Sequence, residues 1–249
     1  MRFSKKKDTW CLFSVEHKEV LCDDVRMPRR PGGGVGGIVY HVLNRAVAGT
    51  TLFSHDRDYQ AFEKVMKEAH NREPLRLLDY CLMPNHWHMV LWPEMDGQLS
   101  EFMRWLTVTH AKRWRAHRQT VGAGHLYQGP FKSFPVQTDE YFLTVCRYVE
   151  RNPVRTGLVA RAEQWQWGSL WRRMYGQAED KALLSAWPVD AWPDWCKWVN
   201  TPLTDAELAE VRMSVVRGRP FGLPQWQERL AERLHLQWTM RTRGRPKCL

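Results

Sequence analysis

Regular patterning of apolar and polar positions starts at Gly37, where Ile38-Val39-Tyr40-His41-Val42-Leu43-Asn44 forms a β-branched and aromatic run of strand length. Beyond it Tyr59, Phe62, Val65, Met66 and Ala69 recur at three- and four-residue spacing, one face of a helix that Ser54 is placed to cap. Leu75 to Met83 and His86 to Trp92 predict two further strands. Pro84-Asn85 between them is turn chemistry, so the two pair as a hairpin. A second helix, capped near Ser100, carries Phe102, Met103, Leu106, His110 and Trp114 at helical spacing. After Gly122-Ala123-Gly124, Phe131 to Val136 predicts a short aromatic strand. Thr138 or Asp139 then caps a third helix with Phe142, Val145, Cys146 and Val149, which ends at Asn152 because the following proline disfavours helical geometry there. The order β-α-β-β-α-β-α predicts an α+β fold, a ferredoxin-like antiparallel sheet with helices on one face.

The flanks have other textures. Residues 1–30 mix charges of both signs with little periodicity and run into Met27-Pro28-Arg29-Arg30-Pro31-Gly32-Gly33-Gly34, so they predict a flexible N-terminal extension ahead of a main domain over 31–160. Met27 reads as an alternative start, which the intact mass of the natively expressed protein checks. Residues 161–249 predict a tryptophan-rich, mostly helical extension with a basic tail. Trp165, Trp167, Trp171, Trp187, Trp192, Trp195 and Trp198 fall among prolines, and helices are expected over Thr204 to Val216 and Gln225 to Arg233. Arg-Gly-Arg-Pro occurs at 217–220 and again at 243–246.

Composition narrows the class. A chain of 249 residues with 43% hydrophobic residues can bury a sizeable core and is not a disordered polymer. No run approaches the roughly 20 apolar residues a bilayer requires, and the stretch after the basic start is too short and polar for a secretory signal. The expectation is a cytoplasmic protein without a membrane. The six cysteines are scattered and form no CxxC pair, which favours reduced thiols over a disulfide framework or sulfur-held zinc. Lys and Arg number 37 against 27 Asp and Glu, a net charge of +10 that points to a polyanion, nucleic acid first, with a merely soluble basic surface as the alternative.

Two short segments carry chemistry. In Pro84-Asn85-His86-Trp87-His88, alternate residues of a strand share a face, so His86 and His88 project together and suit a shared metal ion. The alternative is two histidines alternating on a half-buried strand. In Arg147-Tyr148-Val149-Glu150-Arg151-Asn152-Pro153-Val154-Arg155, Tyr148 and Asn152 lie one helical turn apart on one face. Asn152 would complete a His-His-amide ligand set with Tyr148 in reach of the metal; a core-edge aromatic and a helix C-cap are the plainer readings.

Together these segments resemble the REP-associated tyrosine transposases, members of the single-tyrosine HUH transposases and relatives of insertion-sequence enzymes that move single-stranded DNA. The likeness runs from Gly36-Gly37-Ile38-Val39-Tyr40-His41-Val42 through Leu82-Met83-Pro84-Asn85-His86-Trp87-His88 and His125-Leu126-Tyr127-Gln128-Gly129-Pro130-Phe131-Lys132 to Tyr148 and onward to Val159, about half the chain. Arg217-Gly218-Arg219-Pro220-Phe221-Gly222 and the Arg-Pro ending resemble the family's tails. The resemblance makes 31–160 the catalytic domain, His86 and His88 metal ligands and Tyr148 the nucleophile. Asn152 stands where the insertion-sequence relatives carry glutamine as third ligand. It implies Mg²⁺ or Mn²⁺ as cofactor, a 5′-phosphotyrosine intermediate, nicking and rejoining of single-stranded DNA at REP-type hairpins, a nucleoid-associated location, and a monomer or homodimer.

Chemistry agrees with these roles. A tyrosine with an ordinary pKa of about 10 is neutral near pH 7 and needs a cation or base nearby to attack as phenolate. The second helix carries Arg104, Lys112, Arg113, Arg115 and Arg118 with no acid after Glu101, a ridge that would track phosphates. Lys132 beside Tyr127, Phe131 and Phe134 would serve unpaired bases, with core packing the stronger reading for the rings. Arg243 and Arg245 of the terminal Arg-Gly-Arg-Pro suit a minor groove. A non-catalytic DNA-binding protein on the same fold is the main alternative, and a metal-dependent hydrolase that activates water is a third.

Overall fold

The computed structural model of the chain describes residues 34–241. The expected N-terminal extension with Met27, and Arg243 and Arg245 of the tail, lie outside the described residues. Four strands, β1 (Val39–Arg45), β2 (Arg76–Met83), β3 (His86–Trp92) and β4 (Lys132–Val136), form an antiparallel sheet in the order β2-β3-β1-β4. Helix α1 (Asp56–Arg72) links β1 to β2 and α2 (Gln98–His117) links β3 to β4, each skipping one strand. The chain is therefore α+β with the ferredoxin-like layering its pattern predicts.

The apolar stripe of α1 (Tyr59, Phe62, Val65, Met66) packs with Phe102, Met103 and Leu106 of α2 on Tyr40, Val42, Tyr80, Leu82, Trp87 and Met89. Those strand residues point one way because strand side chains alternate. The opposite parity is apolar as well. Val39, Cys81, Val90, Phe134 and Val136 lie under Phe142, Val145, Cys146 and Val149 of α3 (Glu140–Glu150). Helices thus cover both faces, which corrects the expectation of helices on one face only. The cause lies in the strands: β2 is buried at every position after Arg76, and a strand buried on both sides needs a layer on each.

Three helix ends also differ from expectation. The N-cap of α1 is His55 rather than Ser54, and Asp58 Oδ2 accepts the backbone N–H groups of Ser54 (2.9 Å) and His55 (3.1 Å). Helix α2 starts after Gly97, whose φ of 81° suits glycine, so Ser100 falls inside its first turn. Asp139 caps α3 as predicted, accepting from the Tyr141 N–H at 2.9 Å. Helix α3 ends at Glu150, two residues before the expected Asn152, and after Arg151, which keeps helical angles, one more turn, α4 (Asn152–Arg155), follows. Pro153 sits in that first turn, where a missing N–H costs nothing.

The later chain forms α5 (Ser169–Tyr175), α6 (Ala178–Lys181), α7 (Trp195–Asn200), α8 (Asp205–Arg217), α9 (Pro224–Arg233) and α10 (Gln237–Met240). Thr204 and Glu207 cap α8 reciprocally, Thr204 Oγ1 accepting the Glu207 N–H and the Glu207 carboxylate accepting the Thr204 N–H. This region is tied to the sheet: the Leu82 N–H donates to Trp167 O and the Phe221 N–H to Pro135 O, both at 2.9 Å. The Trp187 indole donates to Leu78 O at 2.8 Å and the Trp195 indole to Glu150 Oε2 at 2.7 Å. Cys81, Cys146 and Cys196 are free thiols. No helix among the described residues is long and apolar enough to cross a membrane.

Candidate active site

The pairing of β3 with β1, roofed by α3, builds the site. His86 and His88 project from the α3-covered face with ring centroids 5.1 Å apart. Tyr148 stands edge-on to His88 at 5.8 Å, so the two segments singled out in the sequence meet. Tyr148 is only 7% exposed. It lines a pocket with Arg151, Arg155, Pro202, Leu203 and Leu208. Asn152 is fully buried one turn further on; its Oδ1 accepts from Arg155 Nη2 at 2.6 Å, and its Nδ2 has no partner among the described residues.

A third imidazole, His41, belongs to the same centre. Register places His41 opposite Val90 and Leu43 opposite His88, so His41 and His88 are diagonal neighbours on one face. His41 Nε2 lies 2.9 Å from His88 Nδ1, and its ring packs 4.8 Å from Phe134 and 6.3 Å from Tyr148. Burial pushes the His41 pKa down to about 3. Burial also holds His88 well below the ordinary histidine value, with the charges of His41, His86 and Arg155 adding to the effect. Both rings are therefore neutral near pH 7 and keep a lone pair for a ligand. At His86 the Asn85 Oδ1 lies 2.7 Å from Nδ1. A carbonyl oxygen only accepts, so Nδ1 carries the hydrogen and the lone pair of the neutral ring is on Nε2.

Imidazole nitrogens and an amide oxygen are donors of the kind that would hold a divalent cation. Among the described residues no three His, Cys, Asp or Glu side chains form a metal-binding group, so a third protein ligand has to be of another type. The buried amide of Asn152 qualifies, because its oxygen keeps a second lone pair beyond the Arg155 bond. Imidazole nitrogens with an amide oxygen suit Mn²⁺, and Mg²⁺ where phosphate oxygens complete the shell.

The face is also basic. Arg45 pairs with His86, and Lys132 lies across Leu43 from His88, so both point to the α3 side. Sequence reasoning placed Lys132 among DNA contacts and missed His41, Arg45 and Arg155. Their positions depend on cross-strand register or on the extra turn of α4, which local spacing does not disclose.

The expected ridge on α2 is elsewhere, on the face covered by α1 and α2. There Arg104 pairs with Glu101, Arg113 with Glu68 at 2.8 Å and Arg118 with Asp58 at 2.9 Å. Arg115 donates to His125 O at 2.9 Å. Lys112 is exposed and, with Arg115, Gly122, Gly124 and His125, lines a shallow groove. The candidate stacking rings belong to packing: Phe134 is fully buried, Phe131 leans on the core, and Tyr127 Oη bonds the Trp87 indole and His110. The Arg-Gly-Arg-Pro copy at 217–220 ends α8, with Gly218 at φ 72° and Arg219 donating to Gln227 at 2.8 Å.

A helix-borne tyrosine thus stands beside a histidine pair on the basic face of a ferredoxin-like sheet, and the sequence match of this core is to DNA transposases. Residues 35–152, a segment that ends at Asn152, match the family model described as transposase IS200 like. Among solved structures, a REP-associated tyrosine transposase bound to a REP hairpin matches at 17% identity and a TM-score of 0.49, over 59% of this chain and 84% of that one. A candidate transposase of Deinococcus radiodurans matches at 16% identity and a TM-score of 0.36, over 49% of this chain and 96% of that one. No curated protein matches the chain by sequence.

Proposed function

We propose that this protein is a transposase that nicks and rejoins single-stranded DNA at hairpins of the REP type, through a 5′-phosphotyrosine at Tyr148. The observation that carries this reading is the meeting of Tyr148 with His88 at 5.8 Å beside His86 on a basic face. The preference for REP-type hairpins follows from the motifs that resemble the REP-associated enzymes. Tyr148 Oη attacks phosphorus, the bond to the 3′-oxygen breaks, that oxygen takes up a proton, and the phenolic proton passes to solvent. Arg155, which lines the Tyr148 pocket, and Lys132 on the same face of the sheet offset charge on the phosphate. His86, His88 and Asn152 would hold Mg²⁺ or Mn²⁺, which when bound polarises a non-bridging phosphate oxygen. Attack of another 3′-hydroxyl on the phosphotyrosine restores Tyr148 and rejoins DNA, conserving the phosphodiester energy without ATP.

The test is incubation of the protein with an end-labelled single-stranded hairpin and Mn²⁺, a denaturing gel, and mass spectrometry of the shifted protein. An adduct at Tyr148 is expected, and Tyr148→Phe should abolish it while leaving hairpin binding intact. Adduct persisting in that variant overturns the nucleophile. Binding without adduct for the unaltered protein under every divalent metal replaces the reading with a non-catalytic DNA-binding protein.

A further inference from the structure

We infer that His41 is a positioning residue of the metal site, one that accepts the Nδ1–H of His88 and so turns the His88 Nε2 lone pair toward the ion. The inference rests on the reading of His88 as a ligand. A neutral imidazole has one donor and one acceptor nitrogen, so the 2.9 Å contact between His41 Nε2 and His88 Nδ1 allows two arrangements. If His41 donates, the hydrogen of His88 sits on Nε2 and that nitrogen cannot ligate. If His88 donates, its Nε2 is a ligand.

Among the described residues no other contact accounts for the polarity of His41. The residue is fully buried, one side of its ring rests on Phe134, and its Nδ1 has no partner. A phenylalanine would fill the same space without burying an unsatisfied nitrogen, so the imidazole carries a cost that its contact with His88 alone can offset. The same device recurs at the neighbouring ring, where the Asn85 amide oxygen accepts from His86 Nδ1 at 2.7 Å. Each ring of the pair thus has its own acceptor on Nδ1, one from the β2–β3 turn and one from the adjacent strand. Outer partners of this kind fix ring orientation and tautomer, and their loss weakens metal binding by about 10- to 100-fold.

The experiment titrates Mn²⁺ into the full-length protein without DNA, by calorimetry or by electron paramagnetic resonance of the free ion. His41→Phe should bind Mn²⁺ about 10- to 100-fold more weakly, and His41→Gln, whose amide oxygen still accepts, should recover most of the affinity. Wild-type affinity in His41→Phe, or equal weakness in both variants, overturns the inference. His88→Ala separates this failure from that of the metal site: wild-type affinity there defeats both. Should His41→Phe fail to fold, ¹⁵N NMR of the Mg²⁺-loaded native protein decides. Hydrogen on Nδ1 of His88 supports the inference, and hydrogen on Nε2 overturns it.

Discussion

His110 offers a quantitative test of how this core responds to acid. Its ring is wedged between Phe53 (5.9 Å) and Phe62 (4.8 Å), and Nδ1 lies 2.6 Å from the Tyr127 hydroxyl. Burial, reinforced by the charge of Arg118, lowers its pKa from 6.5 to about 3. The folded protein therefore keeps His110 neutral while the unfolded chain protonates it below pH 6.5. Stability from the neutral ring is complete above that value and lost as the pH falls toward 3. Between pH 7.5 and pH 5 the unfolded state gains about 1.5 pH units of proton binding, which at about 1.4 kcal/mol per unit destabilises the fold by about 2 kcal/mol. His110→Gln keeps a polar partner for Tyr127 and removes the titration. Urea unfolding in EDTA at the two pH values should show the native protein losing about 2 kcal/mol more than the variant. Equal losses in both would refute the reasoning, because His110 would then be protonated in the folded state or hydrated in a way its contacts do not allow.

Other outcomes follow from the same geometry. Asp79, fully buried on the α3 side, is raised from 3.8 to about 6, mainly by burial with Arg173 pulling the other way. Its effect has the opposite sign to that of His110. Glu150, buried against Asp79, is raised as well, by burial and by the charge of Asp79, so relative to the double variant Asp79→Asn/Glu150→Gln the native protein should gain stability between pH 8 and pH 5, and a native-minus-variant difference independent of pH counts against this. Lys112→Ala should weaken hairpin binding and lower the salt slope by about one without shifting the unfolding midpoint; an unchanged slope removes Lys112 from the interface. Arg118→Ala should destabilise by about 1–2 kcal/mol, since it strips Asp58 of its ion pair and Trp114 of a guanidinium 4.3 Å away. An unshifted urea midpoint would contradict that.

Spacing alone makes two local pairs of the candidate site legible, while the resemblance supplies their roles. His86 and His88 alternate on one strand, and Tyr148 and Asn152 are one helical turn apart; periodicity reveals neighbours of that kind. His41 and Arg45 face the same site only because β1 lies between β3 and β4, a pairing that hydrophobic alternation does not specify. The ion pairs of the α2 ridge escape the sequence for a similar reason. Its cations look unopposed within their own helix, whereas Asp58 and Glu68, which neutralise Arg118 and Arg113, come from α1. The second covered face could have been anticipated. Leu77-Leu78-Asp79-Tyr80-Cys81-Leu82-Met83 is apolar at both parities apart from Asp79, and the later tryptophans supply part of the layer such a strand requires.

The arginines that flank Tyr148 bind it to chain far from the family core. Arg147, almost wholly buried, donates to the carbonyls of Thr201 and Pro202, and Arg151 to those of Val199 and Asn200. All four acceptors lie beyond the segment shared with the IS200-like transposases. The recognisable core is accordingly not a portable cassette in this protein. A chain cut after residue 160 would leave these two guanidiniums without the carbonyls that hold them. The tail thereby helps to hold the helix that carries the tyrosine.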